Sequence, residues 1–149
     1  MVVAFAGRGL RCGFGKSTDA SVFSNLVRSR IAAGFPSPAD DYMERPLDLN
    51  EYLVQRPESS YFVRVVGDSM LGAGIHDGDL LVVDRSRTSG TGDIVIACLD
   101  GEFLVKRLGR DSDGNVMLLP ENIEYTPIVV TPESDFSLWG VVMHVIHSL

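Results

Sequence analysis

Cysteine is scarce in this chain of 149 residues: Cys12 and Cys98 are the only two. Two cysteines cannot build a disulfide framework, so a reducing cytoplasm is the expected location. No apolar run approaches the roughly 18 residues needed to span a bilayer. The opening stretch, Met1 to Arg8, has no basic segment ahead of its short apolar run and makes a poor signal peptide. Neither secretion nor a membrane partner is therefore expected. Histidine is also rare. His144 and His147 are three apart in an expected strand, where odd spacings point to opposite faces, so they are not expected to share a metal unless the strand has ended. His76 sits in a turn beside Asp77 and reads as a surface residue with a satisfied ring. No metal and no cofactor is expected.

Basic residues are in deficit, 13 against 20 acidic, for a net charge of −7. The deficit is uneven: residues 1–33 carry +4 and residues 34–149 carry −11. An acidic body repels a phosphate backbone, and no local basic patch is evident, so sequence-specific DNA binding is not expected of it. The basic arm reads as a solvated tail.

What the chain does have is apolar residues, at 45%, ample for one core, and 15 Gly with seven Pro to punctuate it. Residues 1–18 show no periodicity and read as an extension without its own fold. From Asp19 to Ala33 a rough 3–4 apolar spacing (Val22, Phe23, Leu26, Val27, Ile31) is compatible with a short helix or partly helical arm, which Gly34-Phe35-Pro36-Ser37-Pro38 would end. Residues 39–54 read as a connecting arm with one amphipathic turn around Leu47, Leu49 and Leu53.

Beyond that arm the pattern changes to strands and turns. Expected strands are Tyr61–Val66, Leu80–Val83, Asp93–Leu99, Glu102–Leu108, Val116–Leu119, Ile128–Thr131 and Leu138–Ile146. Asp100-Gly101 is a two-residue turn of the kind that closes tight hairpins. The body, residues 55–149, is expected to be all-β with about seven strands, behind a flexible N-terminal arm.

Gly13-Phe14-Gly15-Lys16-Ser17 looks like a phosphate loop, but that pattern needs a Gly where Leu10 stands, and no strand precedes it. Gly67-Asp68-Ser69-Met70 is the strongest local feature. A Ser in a tight turn at a strand end exposes its hydroxyl and aims neighbouring N–H groups at one point, as a nucleophile with an oxyanion hole requires. Taken alone, Gly-Asp-Ser reads as a plain Ser-bearing turn. A Gly-Asp-Ser esterase would need an Asp three residues before a C-terminal His, and neither His144 nor His147 has one.

A nucleophilic Ser needs a base, and Lys106 is the candidate. Period two on Glu102–Leu108 puts Leu104, Lys106 and Leu108 on one face. An amine between two Leu residues is disfavoured in its ammonium form, and burial can lower a Lys pKa by about 3–5 units. A neutral amine could take the Ser69 proton, as in Ser-Lys variants of the catalytic triad. The competing reading is a Lys laying its stem along the sheet edge.

These pieces, in order, resemble the LexA/UmuD family of self-cleaving serine peptidases (peptidase S24), and its UmuD-like branch in particular. They are Gly34-Phe35-Pro36-Ser37-Pro38-Ala39, Tyr61-Phe62-Val63, Gly67-Asp68-Ser69-Met70 and the run Asp77 to Asp84. Gly92 to Ala97, Asp100 to Lys106 and Gly140-Val141-Val142 follow. The spacing of 37 positions from Ser69 to Lys106 belongs to the pattern.

The resemblance implies a LexA/signal-peptidase-like β-clip body, with Ser69 as nucleophile, Lys106 as general base and the amides of Asp68 and Ser69 holding the oxyanion. It implies cleavage of the chain's own Ala33–Gly34 bond, removing residues 1–33 and leaving the connecting arm, 34–54, on the body. Cys12-Gly13-Phe14 imitates a cleavage site of this family but lacks the Pro-Ser-Pro that follows Phe35.

For partners the resemblance implies a homodimer, a RecA filament on single-stranded DNA that stimulates cleavage in the SOS response, and a UmuC-like Y-family polymerase subunit in error-prone translesion synthesis. The sliding clamp is a further candidate. The alternative is a non-catalytic dimeric scaffold that binds a polymerase, or a repressor-like SOS regulator. The 33 residues before the cut are too few for a helix-turn-helix domain. A leader peptidase with the same chemistry would need a membrane anchor.

Overall fold

Alternating β-branched and aromatic residues, punctuated by Gly and Asp turns, form an antiparallel sheet in the computed structural model, which describes residues 47–149 in full and the backbone of Phe23–Val27 and 43–46. The chain divides into two compact units. In the smaller, β1 (Phe23–Val27) pairs antiparallel with β2 (Met43–Asp48), and the short helix α1 (Leu49–Leu53) follows. Asp48 caps α1, its Oδ1 accepting the N–H of Asn50 at 2.8 Å, which satisfies a donor the first turn would otherwise orphan. The partly helical reading of residues 19–33 is corrected here, because Phe23–Val27 is a strand. Pairing with a distant segment overrides a weak local period. Residues 1–22 and 28–42, which include most of the expected flexible arm, lie outside the described residues.

The larger unit, residues 56–149, is the all-β body. Its strands are β3 (Ser60–Arg64), β4 (Leu80–Asp84), β5 (Ile94–Leu99), β6 (Glu102–Arg110), β7 (Val116–Leu119), β8 (Ile128–Val129) and β9 (Phe136–Ile146). They form one seven-stranded sheet in the order β3-β4-β9-β5-β6-β7-β8, antiparallel throughout. The expected strands match these within a few residues. The β5–β6 hairpin turns on Asp100 and Gly101, both at positive φ (50° and 84°), the backbone that a tight two-residue turn demands.

Alternation splits the apolar side chains between two cores. Val63, Ile75, Leu81, Val83 and Ile96 pack in one, with the Phe103 ring edge-on to Trp139 at 4.7 Å. Val95, Ala97, Leu108, Leu118 and Val141 pack in the other. The long central strand β9 carries two bulges, where Trp139 and Met143 are extra residues against β5 and β4 respectively. Each bulge shifts the alternation and bends the strand, which lets one strand serve both cores. Arg85 lies over the rings of both Tyr61 and Trp139, 5.6 and 5.0 Å from their centroids. Burial pushes the Tyr61 hydroxyl up to about 12, outweighing the lowering effect of that guanidinium. The hydroxyl stays protonated and donates to the Trp139 carbonyl.

Candidate active site

After β3 the chain enters the Gly67-Asp68-Ser69-Met70 turn, and five anchors hold it. Gly67, at φ 96°, gives its N–H to Asp77 Oδ1 at 2.7 Å. Met70 is buried at 2% exposure and fixes the far end of the turn in the core. A single 3-10 turn, Leu71–Ala73, then leads the backbone away. The segment after β7 supplies the rest. The N–H of Glu121 donates to the Ser69 carbonyl at 2.8 Å, and Asn122 Nδ2 donates to the Asp68 carbonyl at 3.1 Å. The Tyr125 hydroxyl donates to the Asp68 carboxylate.

Close packing of backbone on backbone seals the arrangement. The N–H of Gly72 donates to the Glu121 carbonyl at 2.6 Å, and a Cβ at Gly72 would stand the same distance from that oxygen. Only glycine permits the approach. Glu121 is in turn held by the Arg107 guanidinium, which also donates to the Gly92 carbonyl at 2.6 Å.

Lys106 reaches the turn from β6. Its backbone pairs with Val95, a wholly buried residue, and only 7% of the lysine is exposed. Lys106 Nζ lies 2.5 Å from Ser69 Oγ. Burial lowers the pKa of the amine from its ordinary value, because the ammonium form loses its hydration. The Tyr125 ring stands nearby, its centroid 6.0 Å from Nζ. A cleft of about 290 Å³ opens over the pair, with Leu104, Ile128 and Tyr125 in its walls.

The arrangement has the parts for acyl transfer: a hydroxyl, an amine within hydrogen-bond reach and an apolar cleft over them. The N–H groups of Asp68 and Ser69 have no acceptor among the described residues. The structure thus brings together Ser69, Lys106 and Asp68, three residues that the sequence singled out. Ala33 and Gly34 lie outside the described residues.

The family follows from comparison with known proteins. The Peptidase S24-like family model matches residues 25–143. The chain belongs to that family. The resemblance read from the sequence is therefore to the right group, the self-cleaving serine peptidases. Among individual S24-like relatives, Protein ImpA of Salmonella typhimurium is 46% identical over 137 residues, 88% of each chain. Protein MucA of Escherichia coli is 47% identical over 116 residues, 77% of this chain and 78% of MucA. LexA repressor 1 of Xanthomonas oryzae pv. oryzae is 44% identical over 136 residues, 90% of this chain and 65% of that repressor.

Several residues of the site were not legible in the sequence. Asp77, Glu121, Asn122 and Tyr125 matter here only because the fold lays their loops against the Ser69 turn. The reading of His76 as a surface residue with a satisfied ring agrees with its exposed position. Its ring faces Asp79, with Nδ1 3.7 Å from Oδ2. No helix among the described residues is long and apolar enough to cross a membrane.

Proposed function

We propose that this chain cuts its own backbone at Ala33–Gly34, with Ser69 as nucleophile and Lys106 as general base. The observation that carries the reading is the 2.5 Å separation of Lys106 Nζ from Ser69 Oγ, with the amine buried among apolar neighbours. Neutral Nζ takes the Ser69 proton as Oγ attacks the Ala33 carbonyl carbon. The tetrahedral oxyanion is received by the N–H groups of Asp68 and Ser69. The new ammonium gives its proton to the Gly34 nitrogen, the peptide bond breaks, and residues 1–33 remain esterified to Ser69. Water then attacks the ester with Lys106 again accepting the proton.

Reach is no obstacle to a chain cutting itself. Thirty-six positions separate Ala33 from Ser69, and each spans up to about 3.3–3.6 Å when extended. Closing a loop of this length costs only about 3 kcal/mol. Cleavage would remove a +4 segment from a −11 body, a large change in surface charge.

The biological role follows from the resemblance to UmuD-like proteins. The cut chain serves as a homodimeric accessory subunit of an error-prone translesion polymerase, with cleavage stimulated by the RecA filament in the SOS response. A partner that binds the cleavage-competent pose more tightly than the other accelerates the cut by that difference in affinity.

The deciding experiment incubates purified protein at mildly alkaline pH, with and without RecA filaments, and follows intact mass and N-terminal sequence. A fragment starting at Gly34 is expected, faster with the filament. Its absence from Ser69→Ala and Lys106→Ala completes the case. An unchanged yield in both variants sinks the dyad. No fragment under any condition leaves the non-catalytic scaffold as the reading.

A further inference from the structure

Away from the Ser69 cleft, a second cluster forms where the chain leaves β9. The strand ends at Ile146, so His147 is released from strand geometry and turns to the loop before β4. There its Nδ1 lies 2.6 Å from Asp79 Oδ1. His76, 71 positions earlier in the chain, faces the other oxygen of the same carboxylate, with the two imidazole centroids 4.8 Å apart. One donor atom from each of the three residues lies within 4.8 Å of the other two.

We propose that His76, Asp79 and His147 form a binding site for a divalent transition metal of the zinc class, with water in the fourth position. Two imidazoles and one carboxylate are a donor set that zinc accepts. A tetrahedral site with bonds of about 2.0–2.1 Å spaces its ligand atoms about 3.3 Å apart. The three donor atoms now lie within 4.8 Å of one another, with His147 Nδ1 2.6 Å from Asp79 Oδ1, so their separations bracket that value and small side-chain rotations suffice.

Asp79 is built for the role. Its side chain is only 2% exposed, and its second oxygen accepts the backbone N–H of His76 at 2.8 Å, which fixes the plane of the carboxylate. Metal ligands are commonly oriented by such an outer hydrogen bond. The imidazoles are 47% and 43% exposed, so an ion and its water can approach from solvent. On binding, His147 keeps its proton on Nε2 and offers Nδ1 to the metal. The ion then straps the chain after β9 to the loop that carries Asp77 and, through it, the Gly67 N–H.

The test titrates full-length, tag-free protein with Zn²⁺ by calorimetry and with Co²⁺ by visible absorption. One ion per chain is expected, with the intense Co²⁺ bands of a four-coordinate site and a thermal midpoint several degrees higher with Zn²⁺. His76→Ala and His147→Ala, both at exposed rings, should each weaken binding by more than about tenfold, since even the loss of an outer partner costs 10–100-fold. Imidazole nitrogen resonances should move at His76 and His147 on Zn²⁺ addition, while those of His144 stay. Absence of stoichiometric binding, or binding undiminished in both variants, overturns the proposal.

Discussion

The Asp77 carboxylate accepts the Gly67 N–H at 2.7 Å, which ties the loop before β4 to the turn that presents Ser69. The contact is a charge-assisted hydrogen bond on an exposed residue, so its net worth is about 1 kcal/mol. Its loss should cost more in cleavage than in folding, because the oxyanion-holding amides follow directly after Gly67. Asp77→Ala is expected to lower stability by about 1 kcal/mol in urea denaturation. The rate of Gly34 fragment formation should fall about tenfold or more, while Asp77→Asn retains most of it. Equal rates in the wild type and the Ala variant would show that the turn holds its shape without this anchor.

Burial lowers the Lys106 pKa, and two pH dependences follow. The neutral amine is the active base, so the cleavage rate should rise about tenfold per pH unit below the folded pKa. It should level off before the ordinary lysine range, near 10.4. The linked effect on stability has the same sign. Between the folded and unfolded pKa values the unfolded chain binds more protons, so stability rises with pH across that window. Lys106→Met, which removes the desolvated amine, should therefore stabilise the body most near neutrality. Its advantage should shrink toward pH 10, as measured by denaturation midpoints at several pH values.

Much of this fold can be read from residue pattern alone, for identifiable reasons. Strands such as Leu80–Asp84 and Val116–Leu119 are short apolar runs bounded by turns, and the Asp100-Gly101 hairpin is set by local φ preference. The face of Lys106 follows from period two between Leu104 and Leu108. What escapes is whatever depends on distant segments meeting. The 120–126 segment carries no local mark of its grip on Ser69. Nor does His147 reveal that β9 ends one residue before it. The strand Phe23–Val27 reads equally well as part of a helix until its partner, Met43–Asp48, is known.

Asp84 closes the end of β4 with a nearly buried carboxylate. Burial raises its pKa, but donors from Ser86 and Ser59, with Arg56 at 3.3 Å, outweigh that and hold it below the ordinary value. A carboxyl depressed in the fold contributes stability that is complete above its unfolded pKa, about 3.9, and is lost as pH falls through the folded value. Arg56 is more than half exposed, so the hydroxyl and amide donors carry most of the effect. Asp84→Asn should flatten the loss of stability below about pH 4 while costing about 1–3 kcal/mol at neutrality. Acid titration followed by circular dichroism on both proteins tests this. Identical acid midpoints would assign the sensitivity elsewhere.

Gly140, paired with Ile96 of β5, also lies close against the end of β4. A Cβ there would stand 2.7 Å from Val83 Cγ1 and 2.9 Å from the Asp84 carbonyl oxygen, one a core methyl and the other backbone. Neither can swing aside as the end of a long side chain could. The neighbouring bulge at Trp139 depends on the same close approach, because the extra residue is absorbed where β9 bends over β4 and β5. Gly140→Ala should therefore destabilise by about 1–3 kcal/mol, the usual cost of overpacking. This should be larger than the roughly 0.5–1 kcal/mol gained where alanine replaces a freely tolerated glycine. Gly90→Ala is the control: the nearest atom to a Cβ there is Asp93 Oδ2, at an ordinary contact distance of 3.9 Å. Equal denaturation midpoints for the two variants would mean that β9 can shift to admit a methyl group, and that the bulge at Trp139 does not depend on the glycine.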